Sequence, residues 1–215
     1  MADTPLAYWR LGEATGTVAA DQLTTHNATY GHNPALGQPG ALLNDPATSV
    51  GFDGTSQYVE TPSDARLTSS RFSVEVWARP TTAADGAYHG VMASRQYPLG
   101  WVLYQGADGS WEFWVNSGSA MLSANSDPAI RNTWHHLVGT FDGAKVTLYV
   151  NGVAAGSGAL TSAYQPQIGG MLEIAQSEPG DNLYFPGQLQ EAALYGTALS
   201  PTQVQHHYSV GTGGP

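Results

Sequence analysis

Cysteine is missing from the 215 residues, which excludes a disulfide scaffold and a thiolate metal site. Positive charge is scarce: 7 Lys and Arg stand against 17 Asp and Glu, a formal net charge of -10. A surface of that sign repels nucleic acid and anionic lipid at long range, so neither is an expected partner. It is compatible with neutral sugars and with divalent cations and selects neither. No run approaches the ~20 apolar residues that cross a bilayer as a helix, so membrane insertion is not expected. The chain also lacks a G-x-S-x-G elbow, a Walker loop, a dinucleotide glycine pattern and any repeat of fixed period.

What is present suits a single β-rich domain. Hydrophobic residues make up 41%, enough for a core, and 26 Gly with 13 Pro fit many tight turns. Residues 1–210 are expected to form one domain and 211–215 a linker or tail. Met1-Ala2-Asp3 has no signal-peptide character, and the whole reads as a module of a larger exported protein.

The most informative stretch is Trp134–Gly152, WHHLVGTFDGAKVTLYVNG. Two alternating runs flank Asp142-Gly143, a dipeptide suited to a two-residue hairpin turn, and Asn151-Gly152 turns the chain again. Val146, Leu148 and Val150 share one face while Thr147 and Tyr149 share the other, the period of a strand with one side in a core. Phe72–Arg79 alternates as clearly, with Glu75, Trp77 and Arg79 opposite Phe72, Val74, Val76 and Ala78. Further strands are expected at 6–11, 49–52, 58–61, 90–95, 101–105, 111–116, 120–124, near 154, at 172–175 and at 188–195. The last should pair near the first. Glu13–Gly40, rich in Gly, Thr, Asn and Pro, predicts one long loop. Ser200-Pro201-Thr202-Gln203 predicts a short helix opened by a capping box. The expected fold is therefore all-β: a two-sheet antiparallel sandwich with one short C-terminal helix.

The pattern W-x-H-x-V-x-T-x-D-G followed by L-Y-V-N-G resembles the hairpin of laminin-G-like and pentraxin-like concanavalin A jelly rolls. Trp9-Arg10-Leu11-Gly12-Glu13, Val50–Gly54, Phe72–Trp77 and Phe185–Glu191 with Leu194-Tyr195 extend the resemblance over almost the whole chain. That fold carries lectins, adhesion modules, hydrolases and lyases alike, so function rests on the site. The resemblance also implies a structural calcium ion, held by an acid after the first strand, carbonyls of the next loop and an Asp on the last strand. Glu13 matches the first, and Asp21 or Asp53 could join it. Gln190 stands where the family has the final Asp, leaving an oxygen donor without charge.

Sugars present CH faces edged by hydroxyls, which aromatic platforms and bidentate polar side chains recognise. By strand parity Glu75, Trp77, Tyr104, Glu112, Trp114 and Asn116 point away from the core, and with Arg95 and Tyr97 they are the candidate glycan contacts. Trp101 and Trp134 read instead as core, and His136 as a buried, hydrogen-bonded histidine. Adjacent histidines point apart on a strand, so His135-His136 cannot chelate one ion. Glu75 and Glu112 could flank a glycosidic bond, but the E-x-D-x-x-E pattern of related glucanases is missing. Arg95, Tyr97, Tyr104 and His89 would serve a lyase. The expected function is non-catalytic carbohydrate binding by an accessory or adhesive module of an extracellular bacterial protein, with a glycan and neighbouring domains as partners. The alternatives are a structural or protein-binding spacer and, third, a polysaccharide hydrolase or lyase.

Overall fold

The structure is a computed structural model that describes residues 3–118, 120–160, 162–167 and 169–214. Met1, Ala2 and Pro215, at the ends of the expected start and tail, lie outside the described residues. In chain order the first strands are β1 (Ala7–Trp9), β2 (Val18–Ala19), β3 (Ala28–Gly31), β4 (Ala35–Gln38), β5 (Ser49–Asp53) and β6 (Tyr58–Glu60). The middle of the chain gives β7 (Phe72–Pro80), β8 (His89–Gln96), β9 (Leu99–Gln105), β10 (Ser110–Asn116) and β11 (Met121–Pro128). It ends with β12 (His135–Phe141), β13 (Lys145–Val150), β14 (Val153–Ala159), β15 (Glu173–Ile174), β16 (Pro186–Tyr195) and the helix α1 (Pro201–Gly211).

These strands form two antiparallel sheets of eight. The back sheet runs β14-β13-β12-β7-β16-β5-β4 with β1 paired to β16, and the front sheet runs β11-β10-β9-β8-β15-β6-β3-β2. Between them lies one core whose members follow from alternation: Val74, Val76, Leu137, Phe141, Val146 and Leu148 from the back sheet meet Trp101, Leu103, Trp111, Phe113 and Val115 from the front. Phe72 sits in its centre, 5.7 Å from Trp101 and 6.2 Å, edge-on, from Phe113. Trp134 is only half-buried and stands outside this core. No described helix is long and apolar enough to cross a membrane.

The central hairpin forms as expected, with β12 paired to both β7 and β13. Its turn is displaced by one residue, because the Asp142 carboxylate accepts the N–H groups of Ala144 and Lys145 and leaves Gly143, at φ +101°, to make the bend. Asn151 and Gly152, at φ 53° and 79°, make the next turn with the two left-handed residues of type I′. Gly139 faces the core on β12, where a Cβ would fall 2.6 Å from the Phe113 ring. Gly139→Ala is therefore expected to destabilise the fold by about 1–3 kcal/mol through overpacking, read as a lower urea midpoint.

One expectation about the first sixty residues needs correction. Glu13–Gly40 is not one loop: β2 and β3 edge the front sheet and β4 the back sheet. These strands are two to four residues long, too short for a period to show. The strands on either side of Asp53-Gly54 join opposite sheets, with β5 beside β16 and β6 beside β15.

At the other end α1 begins as the capping box requires, with Gln203 N–H donating to Ser200 Oγ and Ser200 N–H donating to Gln203 Oε1 at 2.8 Å. The helix lies on the outer face of the back sheet, where Val204 and Leu199 pack with Val138, Tyr149, Ala193 and Tyr195.

Candidate functional site

Each sheet has an outer face, and the chain treats the two differently. On the back sheet, Glu75 and Trp77 point outward from β7, as their parity requires, into a cavity of about 200 Å³ beneath α1. Glu75 is the acceptor at its centre. One carboxylate oxygen faces His136 Nε2 at 2.7 Å, and the other receives the Tyr195 hydroxyl at 2.8 Å and faces His207 Nδ1 at 2.9 Å. The far nitrogen of His207 reaches Asp3 at 3.1 Å. Trp77 stacks beside this cluster, 5.0 Å from the His136 ring and 6.0 Å from Tyr208. Gly211, the last helical residue, fits against Trp77, where a Cβ would come within 2.5 Å of the indole. The cluster clamps the helix to the sheet, and its charged groups face one another.

Burial pushes the Glu75 carboxyl up, but hydrogen bonds from His136 and His207 outweigh it and hold the group well below the usual range. The bond to Glu75 raises His207 above its ordinary 6.5. A depressed carboxyl contributes stability above its unfolded value of 4.5 that is lost as pH falls. A raised imidazole contributes stability below 6.5 that is lost as pH climbs through its folded value. The clamp is thus strongest between pH 4.5 and 6.5. The melting temperature of the unmodified chain minus that of His207→Gln is expected to shrink above that window; a difference that stays constant to pH 9 would contradict the assignment.

The front sheet presents a different surface. Tyr104 and Val102 on β9, Glu112, Trp114 and Asn116 on β10, and Arg95 on β8 all point outward, which brings most of the expected glycan contacts together. Tyr88, Tyr104 and Trp114 form a three-ring cluster with centroid separations of 5.2–5.4 Å, each pair edge to face. Trp114 remains part-exposed, and its indole N–H donates to Glu112 at 2.7 Å. Ala93 and Val102 make a floor of small side chains beside it. Arg95 donates to the Tyr104 hydroxyl and lies over the rings of Tyr97, 5.4 Å away, and Tyr104, 5.8 Å away. Its side chain is 9% exposed, and its Nε has no hydrogen-bond partner. Burial pushes the Tyr104 hydroxyl up to about 12, so it stays a neutral donor.

Tyr97 is 67% exposed at the β8–β9 turn. With Pro98, Asn116, Gly118, Ala120 and Met121 it lines a depression of about 90 Å³ at one end of the face. The segment 176–184 closes the opposite side: Glu178 accepts the Tyr97 N–H at 2.8 Å, and Leu183 packs on the Tyr104 cluster. The expectation that all eight candidates line one surface is therefore corrected. Arg95, Tyr97, Tyr104, Glu112, Trp114 and Asn116 share the front face, whereas Glu75 and Trp77 lie under α1 on the back.

The front face also holds groups that sequence reading passed over. Glu60 on β6 and Glu173 on β15 are direct cross-strand neighbours there; Asp181 acts on Glu173, and both acids act on Tyr58. The only signal for them was an outward position on strands of three and two residues.

The four residues tied to calcium do not make a cation shell as folded. Glu13 accepts from Ala20 N–H and the Tyr30 hydroxyl. Asp21 accepts from the N–H groups of Tyr8, Leu23, Thr25 and His26. Asp53 is capped by the N–H groups of Thr55, Ser56 and Gln57. Gln190 receives Ala41 N–H at 2.6 Å and donates to Ala47 O at 3.4 Å, so a neutral amide ties the 41–47 loop to β16. Carboxylates ringed by donors are arranged for hydrogen bonds and not for a metal. Among the described residues no group of three or more His, Asp or Glu is placed to hold an ion.

Comparison with known proteins agrees with this fold. Residues 53–205 match the family described as the concanavalin A-like lectin/glucanases superfamily. No curated protein sequence matches the chain. Among solved structures, the fold is similar to domain 4 of AbnA, a GH43 extracellular arabinanase from Geobacillus stearothermophilus, in complex with arabinotriose. The TM-score is 0.71 at 19% identity, over 94% of this chain and 97% of that one. It is also similar to the binding domain of botulinum neurotoxin serotype D, with a TM-score of 0.74 at 15% identity over 96% of this chain. The binding domain of Paraclostridial Mosquitocidal Protein 1 gives 0.72 at 13% over 94%. This chain spans about half of each toxin domain, 51% in both cases.

Proposed function

The chain belongs to the concanavalin A-like lectin/glucanases superfamily, and from that premise we propose that it is a non-catalytic glycan-binding module whose ligand lies on the outer face of the front sheet. The observation that carries the reading is the company Trp114 keeps. A part-exposed indole, with Tyr88 and Leu183, packs over the buried Ala93, Val102 and Tyr104, and its remaining surface is open to a ligand on the outer face. A part-exposed aromatic surface is what the CH face of a sugar ring stacks on. On the back face the helix α1 covers Glu75 and Trp77, and the cavity beneath it is lined by the groups that clamp the helix. The arabinanase domain solved with arabinotriose makes neutral arabino-oligosaccharides the first probes.

Binding without turnover is favoured because the outward acids of the front face are not set as an acid and base across an open cleft. Glu112 is held by the Trp114 indole, and Glu173 is buried. A glycan array probed with the intact chain tests the proposal. Saturable binding with no new reducing ends or unsaturated product supports it, while a silent array overturns it in favour of a spacer module. An exported parent protein fits this role.

A further inference from the structure

We propose, resting on the glycan-binding reading, that Glu60 and Glu173, walled by Tyr58 and Tyr184, form a subsite of the front face for a positively charged amino sugar. Ile174 and Val59 lie in the core, so their strand neighbours Glu173 and Glu60 both point outward, in direct register. Glu173 is 2% exposed, and among the described residues no N–H or hydroxyl donates to either carboxyl oxygen; its one side-chain hydrogen bond is with the Glu60 carboxyl. Two acids directly opposite on a sheet repel, and an unpartnered buried polar group is costly. A shared proton lets the two acids stand together, and a cation can take that proton's place.

The groups that face Glu173 are Glu60 and Tyr58 from β6 and Asp181 from the 176–184 segment, with Tyr184 packed against Tyr58. Directly opposite on β8 stands Ala93, and the nearby Arg95 is engaged by Tyr104 and Glu178. No basic side chain is among the groups acting on Glu173. Burial first, and then Glu60, push it up to about 9, so it keeps a proton at neutral pH. The neutral Glu173 and Glu60 lie beside Tyr58, whose ring centroid is 6.5 Å from that of Tyr184. Carboxylates with aromatic walls are the recognition set of an ammonium group. An ammonium seated there takes over the balancing role of the Glu173 proton, which leaves to solvent. An N-acetylated sugar brings no charge, and a uronate adds a further negative one.

The subsite is in line with the aromatic platform. Register runs from Glu60 to Glu173, Ala93, Val102 and Trp114. At roughly 4.8 Å per strand, Glu173 lies about 14 Å from Trp114, within reach of one short oligosaccharide.

Calorimetry at pH 7 and physiological salt with a β-1,4-linked glucosamine tetramer and its N-acetylated counterpart tests the subsite. The glucosamine tetramer is expected to bind about tenfold more tightly, the value of one charge-assisted contact. Glu173→Gln, which keeps the shape of the neutral carboxyl, and Glu60→Gln on the part-exposed partner should each reduce that preference and spare the N-acetylated tetramer, and the two together should abolish it. Trp114→Ala should weaken both ligands. Equal affinities, a preference that survives both substitutions, or binding of neither tetramer by a chain that responds on the array overturns the subsite and leaves the glycan reading standing. A silent array overturns both.

Discussion

Replacing Trp114 with alanine is expected to weaken glycan binding by at least about thirtyfold, the size of an interface hot spot. The indole is the part-exposed member of the three-ring cluster, and its loss removes both the platform and the donor that holds Glu112 in place. Val210→Ala, at the mouth of the cavity beneath α1, should leave affinity unchanged, because that cavity lies on the opposite sheet. Both variants keep the main core intact, since neither side chain belongs to it. Calorimetry with the best glycan from the array reads the difference. Equal losses in the two variants would mean that the ligand does not choose between the faces.

Glu75→Ala should act on stability and not on binding. The substitution removes the one acceptor shared by His136, His207 and Tyr195, leaving a fully buried imidazole without its partner. Breaking a buried charge cluster from one side costs about 3–5 kcal/mol. In a domain of this size that lowers the melting temperature by about 10 °C. Glu75→Gln retains the volume and one carbonyl acceptor, so its loss should be smaller. Calorimetric melting at pH 6, inside the window where the clamp is strongest, ranks the two. A fall of under about 2 °C for the alanine variant would show that α1 is held by its apolar contacts alone.

Much of this architecture was legible in the sequence because long strands announce themselves. The alternation in Phe72–Arg79 and Lys145–Val150, the Asn-Gly turn and the Ser-Pro-Thr-Gln cap each act over a few neighbouring residues, and each formed where its chemistry required. The site was legible only in part. Parity told correctly that Glu75, Trp77, Tyr104 and Trp114 leave the core, but a sandwich has two outer faces. Which face a strand serves depends on partners far along the chain: β7 lies between β12 and β16, whereas β8 lies between β9 and β15. Nothing in Phe72–Arg79 itself carries that information. Glu60 and Glu173 stayed hidden for the complementary reason: 113 positions apart, they meet only because β15 pairs with β6. Gln190 shows a third limit. Sequence placed it where the family has a metal-binding Asp, and the fold uses its amide to bridge Ala41 and Ala47 directly.

The division of labour between the two faces meets its most direct test in an amide and indole NMR titration with an oligosaccharide selected on the array. Shifts confined to the Trp114 indole, Arg95, Tyr97 and the neighbouring amides of β8 to β10 are the predicted result. Perturbations centred on α1, Trp77 and His136 would contradict it, placing the ligand beneath the helix that is taken here to be a permanent cover.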